Sequence, residues 1–271
     1  MLTEEQNKEV IELCQNLIRQ KSYSGGENLV AQTLKSFFER NGFDSVDVDD
    51  YGNVIACMKG SAAGKKILFD GHIDTVPVTN PTAWKYDPFG AEIHENKIYG
   101  RGASDMKGAV AAMACAVSNF AHGCDKEFAG EIYVAGVVHE ECFEGVAARS
   151  VSKKVHPDYV VIGESSNLNV KIGQRGRAEI LLETFGVPAH SANPEKGVNA
   201  VYQICRLIEK IHSLNPPTHV TACLCNGGYI NRTILHQLWC GGGFTDRYYG
   251  KRSAKHGRRR NALQDTLTRL R

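Results

Sequence analysis

The sequence predicts an α/β protein, and three observations carry that reading. Short apolar runs at residues 67–69, 132–138 and 159–162 are too brief for helices and suit buried strands. Stretches of helical spacing separate them, among them an Ala-rich run over roughly 109–121. From Asn169 the pattern turns to longer polar–apolar alternation followed by one helix, which suggests a second, smaller α+β domain.

Taken in order, Thr3-Glu4-Glu5-Gln6 has the form of a capping box, and Val10, Cys14, Leu17 and Ile18 follow at helical spacing. Ser24-x-x-Glu27 repeats the signal before a helix whose apolar face is Leu29, Val30, Leu34, Phe37 and Phe38. Asn41-Gly42 closes that helix as a left-handed cap would. Short strands are expected at 46–48 and 54–57, either side of the turn residues Asp49 to Asn53. Residues 91–99 read as a hairpin turning at Glu95-Asn96. A glycine-punctuated loop over 100–108 leads into the Ala-rich helix, whose small residues let it lie close to a sheet. The strand at 132–138 ends in His139-Glu140-Glu141, residues 143–153 look helical, and the strand at 159–162 ends in Gly163-Glu164. Beyond these, 170–173 and 178–185 read as strands, then come Pro188 to Ala192 and a helix over 198–214.

Composition narrows the class. With 271 residues, 42% hydrophobic and 23% charged, the chain has the make-up of a soluble globular protein with ample length for a core. No apolar stretch approaches a membrane span, and the acidic N-terminus MLTEEQNKEV is unlike a signal peptide, so a cytoplasmic location is expected. Nine scattered cysteines, an odd number, favour reduced thiols. The net charge of +2 is unevenly spread: residues 1–215 hold 22 basic and 28 acidic side chains, residues 216–271 hold 10 and 2. So sharp a shift marks a boundary.

The chemistry collects at the strand ends. In KILFDGHIDTVP the apolar run gives way at once to Asp70, His72 and Asp74, and ligands in α/β proteins bind beyond the carboxyl ends of strands. If the strand persisted through Asp74, His72 and Asp74 would share a side, which suits an imidazole bound to a metal and steadied by a carboxylate. Asp105, Glu140, Glu141 and Glu164 stand at similar places. Mixed His and carboxylate ligands converging from separate elements are what a two-metal hydrolase needs. Gly60-x-x-x-Gly64-Lys65 is one residue short of a P-loop and reads as a turn. Cys223-x-Cys225 with His236 and Cys240 is loosely metal-like, but nothing around it reads as a zinc ribbon.

The motifs GHIDTVP, GRGASDMKG, HEE and GES, in this order and at these spacings, resemble the co-catalytic zinc aminoacyl hydrolases. That family includes acetylornithine deacetylase, succinyl-diaminopimelate desuccinylase and carboxypeptidase G. The run GESSNLNVKIGQRGRAEI is similar to its selenium-metabolism-linked hydrolase branch, and the resemblance covers about residues 5–215. It implies a zinc-peptidase-like mixed sheet flanked by helices and a smaller α+β dimerisation domain. It also implies two divalent metal ions, Zn2+ with Co2+ as the alternative. His72 and Glu164 would hold the first, Asp105 would bridge, Glu141 would hold the second, Asp74 would orient His72, and Glu140 would be the general base. Glu140 would take a proton from the bridging water and return it to the leaving amine as an amide C–N bond of an N-acyl amino acid or small peptide is cleaved. The peptide bond Asp105–Met106 would be cis. His190 would reach the neighbouring subunit's site in a homodimer, and Arg175 or Arg177 could meet a substrate carboxylate.

These features place a catalytic domain at 1–168, the first part of the small domain at 169–215 and an aberrant basic tail at 216–271. The family's late terminal His for the second metal is not recognisable, so the resemblance implies a C-terminally truncated chain with a tail translated out of frame. One alternative is an inactive fragment with partial metal binding. Another is a basic tail that binds nucleic acid, disfavoured because Lys251 to Arg260 lacks interleaved aromatics.

Overall fold

The computed structural model describes residues 2–143, 145–173, 182–213, 224–229 and 232–238, the last two stretches as backbone alone. In chain order the elements are α1 (Glu4–Arg19), α2 (Asn28–Arg40), β1 (Ser45–Val48), β2 (Val54–Lys59), β3 (Ala62–His72), β4 (Glu92–His94) and β5 (Lys97–Tyr99). There follow α3 (Gly108–Gly123), β6 (Ala129–Val137), α4 (Val146–Val155), β7 (Tyr159–Ile162), β8 (Leu182–Phe185), α5 (Ala200–His212), β9 (Leu224–Tyr229) and β10 (Arg232–Leu238). They fall into two compact units, one ending at Leu168 and the other beginning at Asn169.

The first unit is built on a five-stranded mixed sheet of order β1-β2-β6-β3-β7. β1, β2 and β6 pair antiparallel, whereas β6, β3 and β7 run parallel. Five of the six β2 residues are buried, so both faces of the sheet are covered there, and that accounts for a continuous apolar run instead of an alternating one. α2 lies against β1 and β2, α3 against β3 and β6, and α4 against the same two strands. The core between them is closed by Leu17, Ile18, Leu34, Phe38, Met58 and Leu68, each contributing about 1.5–3 kcal/mol by burial. The Ala-rich α3 comes so close that a Cβ on Gly71 would lie 2.6 Å from Met106 Cε and 2.8 Å from Val110 Cγ2. β7, at the edge of the sheet, differs from β6 and β3. Its four apolar residues are exposed on both faces, and among the described residues no strand pairs with its outer edge.

Local signals account for most boundaries. Thr3 and Gln6 form the capping box of α1. The hairpin β4–β5 turns at Glu95 and Asn96, both at positive φ, as a tight two-residue turn requires. The capping box expected at Ser24 does not form. α2 starts one residue after Glu27 with no side-chain cap, because both side chains are engaged elsewhere. β3 stops at His72, so Asp74 lies past the strand and reaches the imidazole by a turn.

In the second unit an antiparallel sheet of order β8-β10-β9 stands with α5, whose Asn199 caps the helix by accepting from Val201 and Tyr202 N–H. The strand expected at 170–173 is not present. Val170 and Ile172 are almost fully exposed and find no partner strand among the described residues. Two of the three strands come from beyond residue 216, a stretch with little periodicity in its sequence. The rest of that tail lies outside the described residues. Among the described residues no helix is long and apolar enough to cross a membrane.

Candidate active site

β6, β3 and β7 are parallel neighbours, so their carboxyl ends open on one edge of the sheet. His72 ends β3 and is 2% exposed. Past the end of β6, His139 adopts φ 59° and turns the chain so that Glu140 and Glu141 follow at that edge. Glu164 follows β7, and the wide turn over Ala103–Lys107 delivers Asp105. In that turn Asp105 and Met106 leave helical geometry, and the peptide bond joining them is cis.

The imidazole is the meeting point. His72 Nε2 lies 3.0 Å from Asp105 Oδ1, 3.6 Å from Glu164 Oε1 and 4.0 Å from Glu140 Oε2. Its Nδ1 faces the Asp74 carbonyl oxygen at 3.0 Å and the Asp74 carboxylate at 3.4 Å. An acceptor at Nδ1 keeps the proton there and turns the Nε2 lone pair of the neutral ring toward the carboxylates. Two sets of three ligand atoms lie within 4.8 Å of one another, His72/Glu140/Glu164 and His72/Asp105/Glu141. Sequence reasoning singled out each of these residues. Their distances do not separate Glu140 from the others, since it approaches His72 as closely as a ligand would.

Burial pushes the carboxyls of Glu140 and Glu141 up to about 7, helped by the neighbouring acids, and Glu164 moves the same way. The hydrogen bond from His72 holds Asp105 below the usual carboxylate range. Burial would depress His72, but Asp105 and Asp74 outweigh it and raise the ring to about 11. Nε2 thus faces carboxylates whose charge a bound cation would balance. The donors are one nitrogen and several carboxylate oxygens, a set suited to a divalent cation rather than to a soft-metal site.

The partners that hold Asp74 and the turn of the two glutamates carry no local signal of that role. Asp74 is fully buried; it accepts the Ser24 hydroxyl at 2.6 Å and the Glu140 and Glu141 N–H groups at 3.1 Å each. Glu27, also buried, accepts the His139 N–H at 3.1 Å. Asn53 accepts from Val138 N–H at 2.9 Å and donates to Asp49 and to the Ala147 carbonyl, fixing the strand end just before the glutamates. Apart from Asn53 and Asp49, the partners lie 50 to 112 residues apart, beyond any short-range motif. His190 belongs to the second unit, where it is exposed and its Nδ1 accepts from Ala192 N–H. Arg175 and Arg177 lie outside the described residues.

A parallel-edged mixed sheet carrying a His–carboxylate cluster is the architecture of a metallopeptidase. The sequence profile of peptidase family M20/M25/M40 matches residues 68–249, and the chain belongs to that family. The match continues past the composition break at 216. Succinyl-diaminopimelate desuccinylase 2 of Ruegeria sp. (strain TM1040) is 31% identical over 211 residues, covering 73% of this chain and 53% of the relative. The uncharacterized protein YgeY of Escherichia coli (strain K12) is 32% identical over 197 residues, covering 72% and 48%. The chain therefore spans about half the length of the curated relatives it matches. Among solved structures, the M20 family metallo-carboxypeptidase Sso-CP2 from Sulfolobus solfataricus superposes with TM-score 0.57 at 21% identity, over 76% of this chain and 49% of that one. The Bacillus subtilis YXEP protein, a dinuclear metal binding peptidase, gives TM-score 0.54 at 15% identity, over 88% and 66%. These two share the fold.

Proposed function

We propose that this chain carries the centre of a metal-dependent amidohydrolase that cleaves the C–N bond of an N-acyl amino acid or small peptide. One observation carries the reading: a single buried imidazole and carboxylates from three further elements converge within ligand distance at one sheet edge. Membership of a peptidase family and likeness to a desuccinylase support an amide substrate. His72, Asp105, Glu141 and Glu164 would hold two divalent cations, Zn2+ or Co2+. When bound, these supply Lewis acidity toward the substrate carbonyl and toward water.

The remaining work falls to the chain's own groups. Asp74 fixes the His72 ring through Nδ1 and, by accepting two successive N–H groups, fixes the turn that carries Glu140. Glu140, raised to about 7 by burial and by its acidic neighbours, is matched to taking a proton from water and passing it to the leaving nitrogen near neutral pH. His190 and Arg175 are proposed to bind substrate, His190 from a second copy of the chain.

The test is Glu140→Gln. It keeps the shape and is expected to retain the metal while turnover of N-succinyl or N-acetyl amino acids falls by roughly 10²–10⁴-fold. Loss of metal together with turnover would reassign Glu140 as a ligand. A second reading, one cation and binding without turnover, is favoured by a specific feature: among the described residues both ligand sets draw on the same imidazole. Metal content of one per chain with no hydrolysis would establish it.

A further inference from the structure

Lys107 is fully buried, unusual for a residue with so hydrophilic a head group. Its ammonium donates to the carbonyls of Leu17 and Gln20, each at 2.8 Å, at the C-terminal end of α1. Carbonyls at a helix C-terminus lack partners within the helix and carry its negative dipole end, so they suit a cation. The Lys107 backbone is held too, its N–H donating to Gly102 O at 2.8 Å. Gly102 sits at φ 82°, and a Cβ there would lie 2.7 Å from Thr75 Cγ2 and 3.3 Å from Lys107 Cδ. Between Asp105 and Lys107, Met106 is also fully buried, and its Cε comes within 2.6–2.9 Å of where Gly71 and Gly163 would carry a Cβ.

Asp105 therefore stands beside two pins, Met106 driven into the sheet and Lys107 into the end of α1. An apolar side chain would fill the Lys107 site without the cost of burying an ammonium, but it could not grip two carbonyls by direction. The segment after α1 ties in the other ligand strand as well. Ser22 Oγ donates to Ile73 O at 2.7 Å, Thr75 N–H donates to Ser22 O at 2.8 Å, and Ser24 holds Asp74. The end of α1 and residues 20–24 thus hold His72 on one side and Asp105 on the other.

We propose that Lys107 is a positioning residue that sets where Asp105 stands relative to His72, and so sets cation binding at this edge. The cation part rests on the function proposed above. The positioning part does not, and the experiment reads them separately. Hydrogen exchange of amides 102–108 is measured in the metal-free full chain, and Co2+ is then titrated while its d–d absorption is followed, for the parent, Lys107→Met and Lys107→Arg. Lys107→Met is expected to keep its far-UV circular dichroism but speed exchange at 102–108 by tenfold or more. It should weaken Co2+ binding roughly 10–100-fold and alter the spectrum. Lys107→Arg should recover part of each. A lower Tm with parent-like exchange at 102–108 and a parent-like Co2+ spectrum would reduce Lys107 to a fold-stabilising role. Should the parent bind no Co2+, the metal reading falls, and the exchange rates still decide the positioning claim. Should Lys107→Met not fold, Lys107→Gln, whose shorter neutral side chain cannot span both carbonyls, decides, parent-like exchange and spectrum overturning the proposal.

Discussion

The Asp74 carboxylate, fully buried, collects the Ser24 hydroxyl, two N–H groups and the flank of the His72 ring. Burial opposes its charge, but the hydrogen bonds from His72 and Ser24 hold its pKa below the usual range. Asp74→Asn keeps the volume but points an NH2 at one of these donors, leaving that donor unsatisfied. We expect a loss of about 1–3 kcal/mol in urea unfolding, with metal content reduced less than in His72→Ala. Acidity gives a second prediction at this scale. Glu140 and Glu141 have folded values raised to about 7, and His72 is raised to about 11. Each therefore favours the folded, metal-free chain at low pH, and that contribution fades as pH rises through the folded value. A cation must displace these protons. The gain in Tm from Zn2+ should thus be larger at pH 7.5 than at pH 5.5, and an equal gain at both would contradict the charge balance described.

At the scale of elements, packing between α3 and the sheet governs the loop that carries Asp105. Gly71→Ala would press a methyl into Met106 and Val110, at an expected cost of about 1–3 kcal/mol measured by denaturant unfolding. Because Met106 follows Asp105, Co2+ affinity should fall with it, whereas Gly123→Ala, whose Cβ would meet nothing within 4 Å, should change neither. The His and carboxylates that converge at this edge stood out because polar side chains break off apolar runs at the strand ends, and β7 was legible over its whole length. Ser24 and Glu27 misled because their spacing satisfies a helix-cap rule while their partners, Asp74 and His139, are distant in the chain. The 170–173 alternation misled for a related reason: period two states what a strand would bury, and among the described residues no strand is there to bury it against. Lys107 sat in a noted motif, yet nothing local tells a buried lysine from a solvated one.

For the molecule as a whole, the open side of the sheet is the feature with the widest reach. Tyr159, Val160, Val161 and Ile162 are 46–59% exposed on a strand whose outer backbone groups have no described partner strand. Such an edge invites pairing with another chain. Val161→Lys should lower self-association in light scattering without changing Co2+ uptake, since the side chain is half exposed and lies outside the His–carboxylate cluster. Unchanged association would place the sticky surface elsewhere. A free edge of this kind also gives a sample a history. Pairing that begins with a rare encounter and then recruits further copies shows a lag, shortens that lag when a trace of older material is added, and depends steeply on concentration. Two preparations of this chain with the same age and purity could then differ in how much monomer they hold, according to the highest concentration each has passed through.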